Sequence, residues 1–405
     1  MGKPRGPRFS GRRDGRRGGR EGGPGSTLFE KAAGELFSTP RRSGNGGGPS
    51  LPPPGSRPKP TGRPPGTPRR GGSPQSQARP IDRTPKGGDP ISIVTGDVLL
   101  AQRDVAWPAV LPLVLERAHV SSYRAGRWFG LSWASTLDQA LEIDSQGVHF
   151  LGAGATVCSY PHIQAPDAAA MPSAGPRHPL TLTPDGGYRL TDPRSGRTLH
   201  FPPPSEETGW SRLPLTAITD RNGNRIDLIY RDRLLAEVRH SAGYRILIDT
   251  APVGRHGHRI TALRAADGTT LVRFGYDPDS GDLTEVTDSS GIPQRFSYDA
   301  EHRLTGWIDR NGHWYRYTYD EQGRAVRGEG SQGRLNAVFS YDVGNRRTVV
   351  TDALGHSTVY RYNERDQIVE ETDPLGAVTR FEWDEYDRLL SRTDPLGHTT
   401  RFRYD

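Results

Sequence analysis

Sulfur is nearly missing from this chain: one Cys and two Met in 405 residues. Cys158 alone excludes an internal disulfide framework and any multi-cysteine metal site, and it reads as a small apolar packing residue rather than a reactive thiol. Apolar residues are also scarce, at 32%, while Gly and Pro number 50 and 35, so part of the chain is expected to lack a packed core. No stretch approaches the roughly 20 apolar residues of a membrane span. No apolar run follows the N-terminal arginines, which excludes a secretory signal of the ordinary kind. Ser121, His119 and Asp138 suggest a hydrolase triad, but no Gly-x-Ser-x-Gly elbow surrounds Ser121, and hydroxyls serving turns are the preferred reading. His256 and His258 form the only dense histidine cluster; a metal would need further ligands that the neighbourhood does not supply, and an exposed loop is preferred. The expectation is a chain with no catalytic, cofactor-binding or metal-ligating residues.

What is present falls into two parts. Residues 1–88 hold 15 Arg and 4 Lys against 5 acidic residues, a net of +14; the whole chain carries +7, so the remainder carries −7. These 88 residues include 21 Gly and 16 Pro and cannot bury enough apolar surface to offset their ordering entropy. The segment is read as a disordered basic tail. Within it only residues 27–37 could form a transient helix, with Leu28, Phe29, Ala32, Ala33, Leu36 and Phe37 on one side. The Arg-Gly run at residues 11–20 is preferred as a solvated spacer, since Phe9 is its only nearby aromatic; the alternative is weak, non-specific nucleic-acid binding through phosphate neutralisation.

The second part repeats itself. Tyr276-Asp277, Tyr298-Asp299, Tyr319-Asp320, Tyr341-Asp342, Tyr362-Asn363, Trp383-Asp384 and Tyr404-Asp405 follow at steps of 22, 21, 22, 21, 21 and 21 residues. Another aromatic sits two places before each pair, as Phe274 does before Tyr276. Gly291, Gly312, Gly333, Gly355, Gly376 and Gly397 come seven or eight places before the next pair. A sustained period of this length means a repeat architecture. Aromatics at i and i+2 share one strand face, so Tyr315, Tyr317 and Tyr319 line one side while Trp314, Arg316 and Thr318 take the other. The Asp after each Tyr opens a turn, a short second strand follows, and a sequence such as Asp394-Pro395-Leu396-Gly397 turns again. Each unit is a hairpin, marginal alone and stabilised by stacking on its neighbours.

The pattern aromatic-x-Tyr-Asp, then Arg-Leu, then Thr-Asp-Pro-Leu-Gly resembles the YD repeat of the Rhs family. The best matches are Arg303-Leu304, Arg388-Leu389, Thr372 to Gly376 and Thr393 to Gly397; the unit starting at Tyr319 departs, with Gly330 where the others have Asp. Residues 89–165, with Gly88-Asp89-Pro90, Thr95-Gly96-Asp97, Leu111-Pro112-Leu113, Arg127 to Gly130 and Trp133, resemble the domain of unknown function that precedes the repeats in that family. A loop at 166–184 and degenerate repeats at 185–273 connect this block to the regular repeats at 274–405, since residues 191–196 and 219–223 already carry the later turn.

The resulting expectation is an all-β protein: a disordered tail, a small β domain, and YD-repeat hairpins in a spiralling sheet. The resemblance implies part of a hollow β shell, a non-enzymatic scaffold of a polymorphic toxin enclosing a C-terminal toxin domain. Its implied partners are that toxin domain or downstream repeats, with secretion machinery or an immunity protein, and it implies export or a cell-surface location. The alternative is a cell-surface module that binds carbohydrate or protein. The chain stops in mid-pattern, so a fragment is expected, with the strand at residues 399–404 offering Phe402 and Tyr404 for self-association.

Overall fold

In the two short sheets that precede the repeats, all strands but one find their partners close by in sequence. In the computed structural model, which describes residues 69–204 and 212–404, Leu99–Trp107 pairs with Leu113–Val120, and that strand with Trp133–Ser135. Ala140–Asp144, Gly147–Leu151 and Val157–Tyr160 form a second sheet, to which the distant Arg212–Pro214 adds alongside Ala140–Asp144. A tight turn follows Ile91–Ser92: the Gly96 amide donates to the Ser92 carbonyl at 3.0 Å, with Gly96 at φ +70°.

From Ala169–Ala170 to Thr399–Arg401 the remaining strands form one antiparallel ladder, each paired with its neighbour along the chain apart from the Arg212–Pro214 excursion. The ladder therefore starts inside the segment expected to be a loop, with Ala169 and Ala170 paired to Thr181 and Leu180. Backbone pairing does not need the aromatic signature that makes the later units recognisable. Alternation behaves as the pattern demands: in Trp314–Tyr319, Tyr315 and Tyr317 are buried while Arg316 and Thr318 are exposed. The all-β expectation holds, since among the described residues the helical elements are confined to short turns such as Pro74–Ala78.

The N-terminal block and the ladder share one core. Phe129 meets Phe274 edge-on at 4.9 Å between ring centres, Trp133 meets Phe296 at 5.6 Å, and Phe150 meets Phe201 at 6.2 Å. Among these rings lies Arg117, 1% exposed, its guanidinium forked onto Asp104 at 2.6 and 2.8 Å and within 5.1 Å of the Phe274 ring centre. A buried ion pair costs desolvation, and here the fork geometry and three aromatic faces offset it.

The tail expectation needs correction where it meets the described residues. Residues 1–68, including the Arg-Gly run and the 27–37 segment, lie outside them, but 69–88 are folded. Ser73 caps the short helix Pro74–Ala78 through its side chain, and the helix ends at Arg79. Composition misled because arginines normally solvate a chain, whereas here they anchor it. Arg70 is buried and donates to the carbonyls of Arg79 and Ala155, each at 3.0 Å. Arg69 pairs with Glu142 and Asp144 at 2.7 and 2.8 Å. Arg79 forks onto Asp387 at 2.5 and 2.7 Å and donates to the Asp366 carbonyl at 3.1 Å. The segment thus straps the second small sheet to the late repeats. Removing the guanidinium in Arg79→Ala leaves a partly buried carboxylate without its charge partner, held only by the Gln367 amide at 3.0 Å, and is expected to cost about 3 kcal/mol in urea denaturation, with Arg79→Lys recovering part of it because the charge survives without the fork. An unchanged midpoint for Arg79→Ala would show that the strap carries no stability.

Candidate functional site

The chemistry that recurs along the ladder is a junction between successive hairpins. From Asp277 to Asp384, the polar residue after each repeat aromatic caps its own turn. Asp320 Oδ1 accepts from the Gln322 and Arg324 amides at 3.1 and 2.8 Å; Asp299 and Asp384 do the same two and four residues on, and Asn363 substitutes its amide oxygen in that role. Asp277 and Asp342 cap slightly different turns, Asp277 through Asp279 and Ser280, Asp342 through Asn345. The arginine at the far side of the turn then bonds the second carboxylate oxygen: Arg303 to Asp299 at 2.7 Å, Arg324 to Asp320 at 2.8 Å, Arg388 to Asp384 at 2.6 Å.

Those same arginines reach the next unit. Arg303, Arg324 and Arg388 lie over the rings of Tyr319, Tyr341 and Tyr404 at 4.7, 4.9 and 5.1 Å. The tyrosine in turn donates its hydroxyl back to a main-chain carbonyl of the preceding unit. Tyr319 bonds Leu304, Tyr341 bonds Ala325 and Tyr404 bonds Leu389, at 2.6, 2.8 and 2.9 Å; Trp383 does so through its indole N–H to Ile368 at 2.7 Å. Tyr276 bonds Ile260 in the same way at 2.6 Å and also meets the Trp128 carbonyl. Tyr298 is instead taken up by the N-terminal block, accepting from the Trp133 indole at 2.9 Å. Burial raises the phenol pKa values of Tyr298, Tyr319 and Tyr341, so these hydroxyls stay protonated. Tyr362 is buried with Ile368, Ile93 and Val94 in a smaller cluster.

The second turn of the unit uses the same device. Asp309, Asp352, Asp373 and Asp394 each accept the amides two and four residues on. Gly312, Gly355, Gly376 and Gly397 take the left-handed position, between +83° and +86°. A methyl group added at Gly312 would meet nothing within 4 Å, so the backbone angle and not space selects glycine there. Gly291 follows the pattern beside Asp288 at φ +73°. Gly333 does not: with Gly330 in place of the carboxylate, Ser331–Gly333 forms a short 3-10 turn and Asn336 accepts the Gly330 amide instead.

Two features had no sequence signal. A bulge sits immediately before Tyr276, Tyr298, Tyr319, Tyr362 and Trp383, where the register with the following strand shifts by one residue. The strap is the other. At the left-handed position of the tyrosine-side turn, Gly323 has φ +78°, while Asp366 and Asp387 hold +57° and +64°. Those two carboxylates are the strap's anchors, Asp366 accepting the Ser73 amide at 3.0 Å.

The candidate chemical constellations are dispersed. Ser121 donates to Asp97 at 3.1 Å, Asp138 accepts the Arg127 and Trp128 amides, and His119 is buried between Trp133 and Tyr298, with burial lowering its pKa to about 3. His256 bonds the Asp279 carbonyl at 2.6 Å and packs against Gly281, linking two adjacent turns. Cys158 is buried and its thiol pKa is pushed up to about 12, which keeps it unreactive. A polar row that the sequence did not signal crosses the second small sheet: His149 lies between Ser159 at 2.9 Å and Asp144 at 3.1 Å, with Arg69 closing it. His149 and Ser159 are cross-strand neighbours, which accounts for the contact. A cavity of about 240 Å³ lies between Leu113, Leu115 and Leu137 and the ladder residues Leu199, Ile226 and Leu228, and Glu116, Gln139 and Arg197 also line it.

The junction can be tested by removing one hydroxyl. Tyr319→Phe leaves the Leu304 carbonyl without its donor and is expected to cost about 1 kcal/mol in denaturant unfolding, against less than about 0.5 kcal/mol for Thr318→Ala on the exposed face. Equal effects would remove the junction from the stability of the ladder. A pH dependence is expected at Asp89, whose carbonyl accepts the Tyr317 hydroxyl at 2.5 Å and whose carboxyl is raised by burial to about 6. A folded pKa above the unfolded one contributes stability below about pH 4 that is lost as pH rises through 6. Asp89→Asn should therefore raise the melting temperature relative to the parent at pH 8, with the gain shrinking towards pH 4.5; a gain independent of pH would assign it to something other than the charge.

Comparison with known proteins bears on both parts of the chain. A family model described as a domain of unknown function, DUF6531, matches residues 88–160, and the RHS Repeat model matches 276–313, 298–329, 341–378 and 362–399. The chain is 32% identical over 274 residues to the "Probable deoxyribonuclease RhsA" of Dickeya dadantii strain 3937 and 30% identical over the same length to its "Probable deoxyribonuclease RhsB". Each alignment covers 66% of this chain and 18% of the relative, so the chain spans less than a fifth of the length of these relatives. Among solved structures it is similar to the crystal structure of TcdB2-TccC3-Cdc42, at 11% identity and a TM-score of 0.36 over 76% of this chain and 22% of that one. The crystal structure of TcdB2-TccC3 without its hypervariable C-terminal region matches at the same identity and score over 79% and 22%.

Proposed function

This chain belongs to the RHS/YD-repeat family, with a DUF6531 domain ahead of its repeats, and from that premise we propose that it is a non-enzymatic structural scaffold: a length of wall from a polymorphic toxin whose active domain lies elsewhere in a longer polypeptide. The observation that carries this reading is the use to which the repeat's chemical groups are put. The carboxylates cap turns, the arginines bridge units and the phenols bond backbone. Groups committed to holding hairpins together are wall material. The relatives named as probable deoxyribonucleases are matched over only 18% of their length, which fits a nuclease activity residing in their unmatched part.

The test is a chimera. The 274 matched residues of the Dickeya RhsA protein are replaced by the corresponding stretch of this chain, and the rate at which added protease digests the C-terminal region is followed. The expected result is digestion as slow as in the parent. Digestion as fast as that of the isolated C-terminal region would overturn the scaffold reading. Metal-dependent cleavage of plasmid DNA by this chain alone would overturn its non-enzymatic part.

A further inference from the structure

Three consecutive turns along one margin of the ladder carry a side chain that their geometry does not need. In the turns headed by Asp352, Asp373 and Asp394, the residue before glycine is Leu354, Leu375 or Leu396, and these are 79, 94 and 82% exposed. Earlier in the ladder the same carboxylate-capped turn is built with Asn222 beside Asp220 and with Asn311 beside Asp309. The turn therefore accepts a polar residue at this position, and although the leucine amide bonds the capping carboxylate, the leucine side chain contributes nothing to the turn's hydrogen bonding. A single exposed leucine needs no explanation, but an evenly spaced row forms a patch.

The spacing is fixed by the sheet. The three turns join Arg347–Asp352 to Ser357–Tyr362, Ile368–Thr372 to Val378–Trp383, and Leu389–Thr393 to Thr399–Arg401. All of these strands pair in order, so neighbouring leucines are two strand spacings, about 10 Å, apart.

We propose that this leucine row is a self-association surface, covered in solution by the same row of a second copy of the chain. A second copy presents the same hairpin step, and a two-fold axis through Leu375 sets Leu354 of each copy against Leu396 of the other. The polar flanks are compatible with that pairing. Leu354 is bracketed by Asp352 and His356, 3.4 Å apart, and Leu396 by Asp394 and His398, 3.1 Å apart, so each outer contact brings an imidazole and a carboxylate to their counterparts. At the centre Leu375 lies between Pro374 and Gly376, with Ala377 in place of a histidine. The leucines supply on the order of 100 Å² each, about 300 Å² per copy. This falls short of the roughly 800 Å² per partner of a stable complex, so the pairing is weak and is populated only at high concentration.

The experiment is sedimentation velocity on the whole chain from about 5 to 300 μM. The expected result is a concentration-dependent shift from monomer to dimer. The variant L354N/L375N/L396N, which installs the residue that the earlier turns already carry, should weaken dimerisation by at least tenfold while leaving the melting temperature unchanged. A second variant, F402S/Y404S, addresses the last strand and should leave the dimer intact. Monomer throughout the range would overturn the proposal. So would a dimer that survives the triple asparagine variant, and a dimer lost only in F402S/Y404S would assign the association to the last strand instead.

Discussion

The bond from an aromatic donor to a main-chain carbonyl one repeat earlier is the constraint on which the rest of the ladder depends. Strand pairing alone would hold neighbouring strands at their usual separation but would leave the inner side chains free to choose among packings. The donor removes that freedom. Tyr319 reaching Leu304, and Trp383 reaching Ile368 with a different ring, fix where each hairpin sits over the last. One such bond is worth about 1 kcal/mol net, no more than a turn cap. Its weight comes from recurrence, because a repeat array sums its nearest-neighbour contacts. The arginine lying over the same ring adds a second tie between the same pair of units, and its bond to the capping carboxylate means that turn and junction are not independent.

The N-terminal block uses the ladder's own aromatics as its packing partners. Phe274 and Phe296 occupy the position two places before the repeated tyrosine, and they meet Phe129 and Trp133. Arg117 stands where these rings converge, with its charge met by Asp104. Block and repeats are thus two layers over a common interior. Cutting between them would expose both.

Much of this was legible in the residues, for definable reasons. The period, the alternation of Tyr315 and Tyr317 against Arg316 and Thr318, and the turn glycines follow from local geometry that any copy of the unit must satisfy. The bulge before Tyr276, Tyr298, Tyr319, Tyr362 and Trp383 was not legible, because a one-residue shift in register leaves composition and spacing unchanged, and Tyr341, with the same signature, has none. The fold of residues 69–88 was hidden for a different reason. Arg79 and Asp387 are 308 residues apart, and nothing around Arg79 distinguishes an anchoring arginine from the solvated ones before it. Ser121, His119 and Asp138 show the converse: close in sequence, they are drawn into separate duties.

The left-handed position of the tyrosine-side turn has a consequence for how such arrays diversify. Glycine is the easy occupant, and Gly323 takes it. Asp366 and Asp387 accept an angle that side chains ordinarily avoid, and both are gripped by the strap. His302, at φ +61°, is a third departure, and it too reaches beyond its own turn, to Asp282 at 2.9 Å. In a structure made of near-identical units, an outside segment cannot tell one unit from another by the features they share. The blemishes in the repeat act as addresses. Smoothing Asp387 to the glycine of its sister would ease the backbone and erase the mark by which the strap finds its place.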